Sequence, residues 1–271
     1  MLKARILTAS ILIPLFLGAL FFLSDGMWIA VTLAVTLLAC REWTTLAGFS
    51  TLFSQIYLFL CALLCLFLLW TIHVDASNIL YFYIASAIFW LIIAPSWLIF
   101  GWRARQPLVM AATGWVVLMP TWLALIDLRL RGPWLLFGIM AIVWIADTAA
   151  YFSGRLFGKN KLAPSISPGK TWEGVAGAFA AVAIYAGILI FLGDTASLFI
   201  GPFWLIPLTL MLSAFSIVGD LFESALKRNA GVKDSGAILP GHGGILDRID
   251  SLTAALPLAA LGLMLAQSLS S

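Results

Sequence analysis

Nine long apolar runs, separated by short polar connections, constrain this chain more than any other feature of it. A helix needs about 20 mostly apolar residues to cross a bilayer. Candidates lie at approximately 6–23, 27–40, 52–72, 79–100, 108–126, 133–153, 173–193, 202–222 and 250–268. Composition agrees, with 63% of residues hydrophobic, 10% charged and a mean hydropathy of +1.08, whereas soluble domains run near a quarter charged. The expected fold is all-α, a polytopic integral membrane protein with about nine transmembrane helices. The second run is short and closely flanked by Asp25 and Arg41. Lys3 and Arg5 precede the first run in the manner of a signal peptide, but no small-residue cleavage site follows at Ser24-Asp25-Gly26, so it reads as a span.

Basic residues set the expected orientation. With nine spans, the N-terminus and the even-numbered loops share one side, and 13 of the 15 Lys and Arg residues fall there; only Arg129 and Arg131 fall opposite. Cytoplasmic loops collect such residues, so the N-terminus and both large polar loops are expected in the cytoplasm. The net charge of +3 is then a topology signal, and no basic extramembrane domain exists to bind nucleic acid. The chain reads as one membrane domain, 1–271, with a helical scaffold over 1–130 and catalytic helices and loops over 131–271. In the scaffold, Trp28, Trp43, Trp70, Trp90, Trp97 and Trp102 sit mostly near span ends, where indoles settle at the headgroup level. Cys40, Cys61 and Cys65 lie in apolar runs with no His or carboxylate nearby, which favours packing over metal binding. His73 reads as an ordinary loop residue.

The character changes at the sixth span. Asp147 stands inside an apolar helix, with Tyr151 one turn further on the same face. The loop that follows carries Gly154, Arg155, Gly158 and Lys159, then Ser167-Pro168-Gly169-Lys170-Thr171 before the seventh span. Lys170 and Thr171 thus fall near a helix N-terminus, where free amides and the dipole favour an anion. Ser167, Lys170 and Thr171 suit a phosphate, although the Walker pattern is absent.

The densest polar stretch runs from Asp220 to Asp250, where nine of the chain's 27 charges occupy 31 residues. Ionisable groups beside the membrane interior are expensive, so such a cluster marks a functional site. Two sequences match within it: Asp220, Glu223 and Ser224, then Asp247, Asp250 and Ser251, each with acids at i and i+3 and a serine at i+4. On a helix these share a face. If the two helices pack together, four carboxylates converge, and cations must answer them: Lys227, Arg228, Arg248 or a divalent metal. Magnesium favours oxygen ligands and joins carboxylates to substrate phosphates. Between the two sequences lie Lys233, Gly236 and the run Pro240-Gly241-His242-Gly243-Gly244, whose glycines let backbone amides approach a ligand.

Ser224 through Arg228, Lys233 through Gly236, and Pro240 through Asp250 together resemble the signature of the phosphatidate cytidylyltransferases, the CDP-diacylglycerol synthases. Asp147 through Lys159 and Ser167 through Gly174 resemble that family too, except that Gly169 stands where a second basic residue is common. The resemblance covers about residues 140–255. It implies a bacterial inner-membrane enzyme, often homodimeric, that joins CTP to phosphatidate and releases pyrophosphate. It also implies Mg²⁺, with Asp220 and Asp247 as chief ligands and room for a second cation. Glu223 and Asp250 are further metal candidates. Lys227, Arg228, Lys233, His242 and Arg248 are the expected catalytic cations and contacts. Lys170, Ser167, Thr171, Asp147, Gly243, Gly244 and Ser224 are expected to line the substrate. An ion-coupled carrier is the rival from another class, but the polar residues gather at the ends of late spans, not at mid-membrane in both halves. A lipid kinase differs in transferring only the γ-phosphate, and a purely structural subunit would need neither CTP nor Mg²⁺.

Overall fold

The computed structural model describes residues 2–74, 78–193, 202–239, 241 and 243–270. Among these are nine helices, one at each apolar run: α1 (Leu2–Phe22), α2 (Asp25–Leu46), α3 (Thr51–Val74), α4 (Ile79–Phe100), α5 (Pro107–Arg131), α6 (Pro133–Phe157), α7 (Trp172–Phe191), α8 (Pro202–Asn229) and α9 (Leu246–Ser270). Eight are long and apolar enough to cross a membrane, while the described apolar stretch of α1, Ser10–Phe22, is shorter. The protein is an all-α polytopic membrane protein.

Helix ends follow local chemistry more than hydropathy. Asp25 does not exclude α2 but opens it, beside an N-cap at Ser24 whose hydroxyl accepts from Met27 N–H; a carboxylate in the first turn complements the helix dipole. The same helix runs past Arg41 and Glu42 to Leu46. Pro107 and Pro133 start α5 and α6, where a missing N–H costs nothing. In α4 the backbone widens to a π turn at Phe89–Ile93, just ahead of Pro95. Proline cannot donate to the preceding turn, and the wider turn absorbs that loss.

α5 runs through the centre, its Val117–Leu128 stretch largely buried against α2, α4, α6 and α9. Scaffold tryptophans serve this core more than the headgroup level expected of them. Trp28, Trp43, Trp90 and Trp97 are buried, and only Trp70 and Trp102 are exposed. The indoles of Trp28 and Trp43 donate to the α5 carbonyls of Leu125 and Met110, at 3.0 and 2.9 Å, and a paired indole loses nothing by burial. Trp90 and Trp97 instead pack edge-on around Phe222 of α8. The three thiols are buried and free; Cys61 Sγ accepts from Trp115 Nε1 at 3.2 Å, which agrees with a packing role.

Basic residues separate to the two ends of the bundle. At one end Arg129 is buried, pairs with Asp25 at 2.5 Å, bonds the Leu20 and Leu23 carbonyls and lies over the Trp28 ring. Arg131 is held there by Asp127 and Gln267. At the opposite end lie the close of α2, the α4–α5 connection and the polar segments after α6 and α8. One of those segments folds as an antiparallel hairpin that sequence reading did not anticipate, β1 (Lys161–Ala163) with β2 (Ser167–Thr171), pairing Lys161 with Thr171 and Ala163 with Ser167. The Glu173 carboxylate secures it by accepting from Asn160 N–H and Nδ2. Glycines let α6 and α7 close around it: a Cβ at Gly174 would lie 2.9 Å from the Ala150 carbonyl, and one at Gly177 would overlap Ser153.

Candidate active site

A cavity of about 620 Å³ opens where α6, β2, α8 and α9 meet. Each element delivers side chains for a local reason. α6 turns Asp147, Tyr151 and Arg155 inward at successive i,i+4 steps. β2 carries Ser167 and Lys170, and Thr171 ends it by capping α7, its hydroxyl accepting from Gly174 N–H at 3.1 Å. Gly219 lets α8 touch α9, since a Cβ there would sit 2.6 Å from the Asp250 carbonyl. That close approach brings Asp220 and Asp250 to one cavity. Asp247, Arg248, Lys227 and Asp234 complete the lining.

Two lysines organise the charges through three ion pairs. Lys170 Nζ lies 2.6 Å from Asp220 Oδ2. Lys227 Nζ bridges Asp247 Oδ1 at 2.6 Å and Glu223 Oε1 at 3.1 Å. The second oxygen of Asp247 accepts Ser235 N–H and Gly244 N–H, each at 2.8 Å, with the Ser235 hydroxyl at 3.0 Å. A carboxylate in the first turn reaching back to an amide three residues earlier is one half of a capping box. Gly243, at φ +81°, completes the fit, since a Cβ there would lie 2.6 Å from Asp247 Oδ2.

Of the predicted residues, Asp147, Ser167, Lys170, Thr171, Asp220, Lys227, Asp247, Arg248 and Asp250 share this cavity. Glu223 does not line it; it is buried behind, against Lys227. Three of the four acids expected to converge therefore do so, joined by Asp147. Ser224 supports Asp220, donating to its Oδ1 at 3.3 Å. Arg228, one residue past Lys227, leaves the cavity and bonds the carbonyls of Ile166 and Val232; neighbours on a helix point about 100° apart. Lys233 is exposed and outside the lining. His242 lies outside the described residues.

The residue that sequence reading missed is Glu42. It belongs to α2, in the supposed scaffold, yet its buried carboxylate accepts Ile245 N–H, Leu246 N–H and the Ser235 hydroxyl, each at 2.9 Å. The free amides that begin α9 are thus answered by an acid some 200 positions earlier in the chain. Ser235 stands between the Glu42 and Asp247 carboxylates. The glycines once assigned to ligand approach mostly serve this joint: a Cβ at Gly236 would lie 2.5 Å from Glu42 Oε1, and one at Gly244 would overlap Ser235 and Glu42. A signal was present, because an acid within a buried helix needs partners, and Glu42 has only Arg41 beside it in sequence.

As to metal, no three His, Cys, Asp or Glu side chains form a ready cage among the described residues. The donor set still fits a hard divalent cation. Asp147, Asp220 and Asp250 line one cavity as oxygen donors, and magnesium asks for only one or two carboxylates besides water and substrate phosphate.

The sequence model of the cytidylyltransferase family matches residues 3–266. The chain belongs to that family. It is 39% identical to a phosphatidate cytidylyltransferase of Pseudomonas aeruginosa, over 96% of each chain. It is 37% identical to one of Haemophilus influenzae, over 95% of this chain and 96% of that one. A Brucella suis protein of the same name is 52% identical over 125 residues, 45% of this chain. The chain is therefore a membrane-embedded nucleotidyltransferase.

Proposed function

We propose that this enzyme transfers the cytidylyl group of CTP to phosphatidate in the bacterial inner membrane, as a homodimer with its cavity facing the cytoplasm. What supports the reading is one cavity in which acids (Asp147, Asp220, Asp247, Asp250) alternate with cations (Arg155, Lys170, Lys227, Arg248) at the end of an apolar bundle. Two polyanionic substrates, one of them anchored in lipid, need such a place to meet.

A phosphatidate oxygen forms a bond to the α-phosphorus of CTP, and the bond from that phosphorus to the bridging oxygen breaks, releasing pyrophosphate. The attacking oxygen is already anionic at neutral pH, so no general base is required. Positioning and charge neutralisation carry the catalysis. A magnesium ion held by the cavity carboxylates would supply positive charge to the phosphate oxygens. Asp220 is the proposed principal ligand. Asp247 could offer only Oδ1, which Lys227 already holds at 2.6 Å, since its other oxygen accepts the Ser235 and Gly244 amides, and Asp147 and Asp250 line the same wall. Lys170, Arg155 and Arg248 hold phosphates, while Lys227 keeps Asp247 charged and oriented.

Purified protein given phosphatidate, Mg²⁺ and CTP labelled in the cytosine tests the reading. Label should pass into the lipid fraction. Transfer of only a γ-phosphate label would mean a lipid kinase, and no transfer of either would end the proposal.

A further inference from the structure

On the same end of the bundle, back to back with the active-site cavity, lies a second cavity of about 520 Å³. The hairpin separates them: Ser165 and Ile166 line the second, Ser167 and Lys170 the first. Its charged lining is Arg103, Arg105 and Arg228, with no carboxylate. Among the described residues no acid lies within ion-pair distance of Arg103 or Arg105, and Arg228 bonds only two carbonyls. Three cations that share a concavity without an anion repel one another and draw one in.

An apolar groove of about 710 Å³ between α4 and α5 joins this cavity through Trp97, Trp102, Arg103 and Ala104. Phe89 and Ile93 of the π turn form one wall of the groove, and Val109 and Val116 the other. Trp102 stands exposed at the junction, stacked on Phe100, as an indole does at the headgroup level. A cationic bowl that continues into an apolar channel has the amphipathic shape of a phospholipid; a free phosphate would use the bowl alone.

We propose that this is a binding site for an anionic glycerophospholipid, distinct from the active-site cavity. Its phosphate lies among Arg103, Arg105 and Arg228, and an acyl chain lies in the α4–α5 groove. The inference goes beyond the proposed reaction and does not depend on it, since binding can be read without turnover.

The test uses full-length protein in phosphatidylcholine nanodiscs with a trace of phosphatidylglycerol carrying a diazirine on one acyl chain. Cross-links are mapped by mass spectrometry. Labelling should fall within Phe89–Val116, and Arg103→Gln with Arg105→Gln should lower it roughly thirtyfold, the scale expected for two interfacial cations. Arg103→Lys with Arg105→Lys should keep it, at an unchanged melting temperature, and millimolar inorganic phosphate should not compete. Equal labelling by a phosphatidylcholine probe, no loss in the glutamine variant, or displacement by inorganic phosphate would each overturn the proposal. Failure of cytidylyl transfer with labelling intact would count against the proposed reaction and leave this site standing.

Discussion

The two halves of the molecule treat polar groups in opposite ways. In α1–α5 several polar side chains are paired inside the packing, Trp28 on Leu125, Trp43 on Met110, and Arg129 on Asp25 and two carbonyls, while the indoles of Trp90, Trp97 and Trp122 are buried there with no hydrogen bond. In α6–α9 the polar side chains turn to a common space, so Asp147, Lys170, Asp220 and Arg248 face one cavity. The pairing of Arg129 is what a bilayer imposes on a charge, since an unpaired one in hydrocarbon has no water to turn to. The arrangement in α6–α9 survives because its groups are open to solvent and ligands. Glu42 breaks the division, being a scaffold residue whose partners all belong to the catalytic loop.

The comparison can be broken most severely at the cavity. Asp220→Asn and Asp247→Asn are each expected to reduce cytidylyl transfer by about a thousandfold, the scale of removing a preorganised charge, with little change in melting temperature for Asp220→Asn. Near-normal turnover in either would remove it from the proposed metal centre. Lys170→Met should cost about a hundredfold in turnover and yet tighten Mg²⁺, because Asp220 loses its competing cation. Mn²⁺ binding followed by electron paramagnetic resonance reads the sign directly, and weaker binding would refute the competition.

Glu42→Ala sharpens the comparison by asking which half Glu42 serves. It strands the Ile245 and Leu246 amides, at about 1–3 kcal/mol each, while the Ser235 hydroxyl keeps Asp247 as acceptor. Stability and kcat should fall together, whereas a purely structural acid would lower the melting temperature alone. Trp43→Phe is the smallest of the four. It removes one buried indole bond, worth about 0.6–2 kcal/mol within a membrane bundle, and should leave kcat unchanged in detergent at a temperature well below melting.

Much of this was legible in advance. Apolar runs located every described helix because length and hydropathy are local properties. The repeated spacing at Asp220 and Asp247 foretold a shared cavity because α8 and α9 both continue through their acids. Hydropathy misjudged where helices stop, since Asp25 and Arg41 were counted as flanks of the second run and lie within α2. It also could not see that Glu223 would turn behind Lys227, nor that Arg228 would part from it. Those outcomes depend on how α8 is rotated against its neighbours. The glycines around His242 misled for a related reason: what crowds Gly236 and Gly244 is a carboxylate from another helix, which spacing within the loop cannot reveal.

Glu42 also bears on how the chain is built. It enters the bilayer with the second helix, while Ser235, Ile245 and Leu246 leave the ribosome some 200 residues later. Until then this acid lacks all three of its partners from that segment. Translation products that stop before α9 should therefore hold α2 in an unfinished, protease-sensitive state, and the closing loop acts as a late checkpoint on the whole assembly.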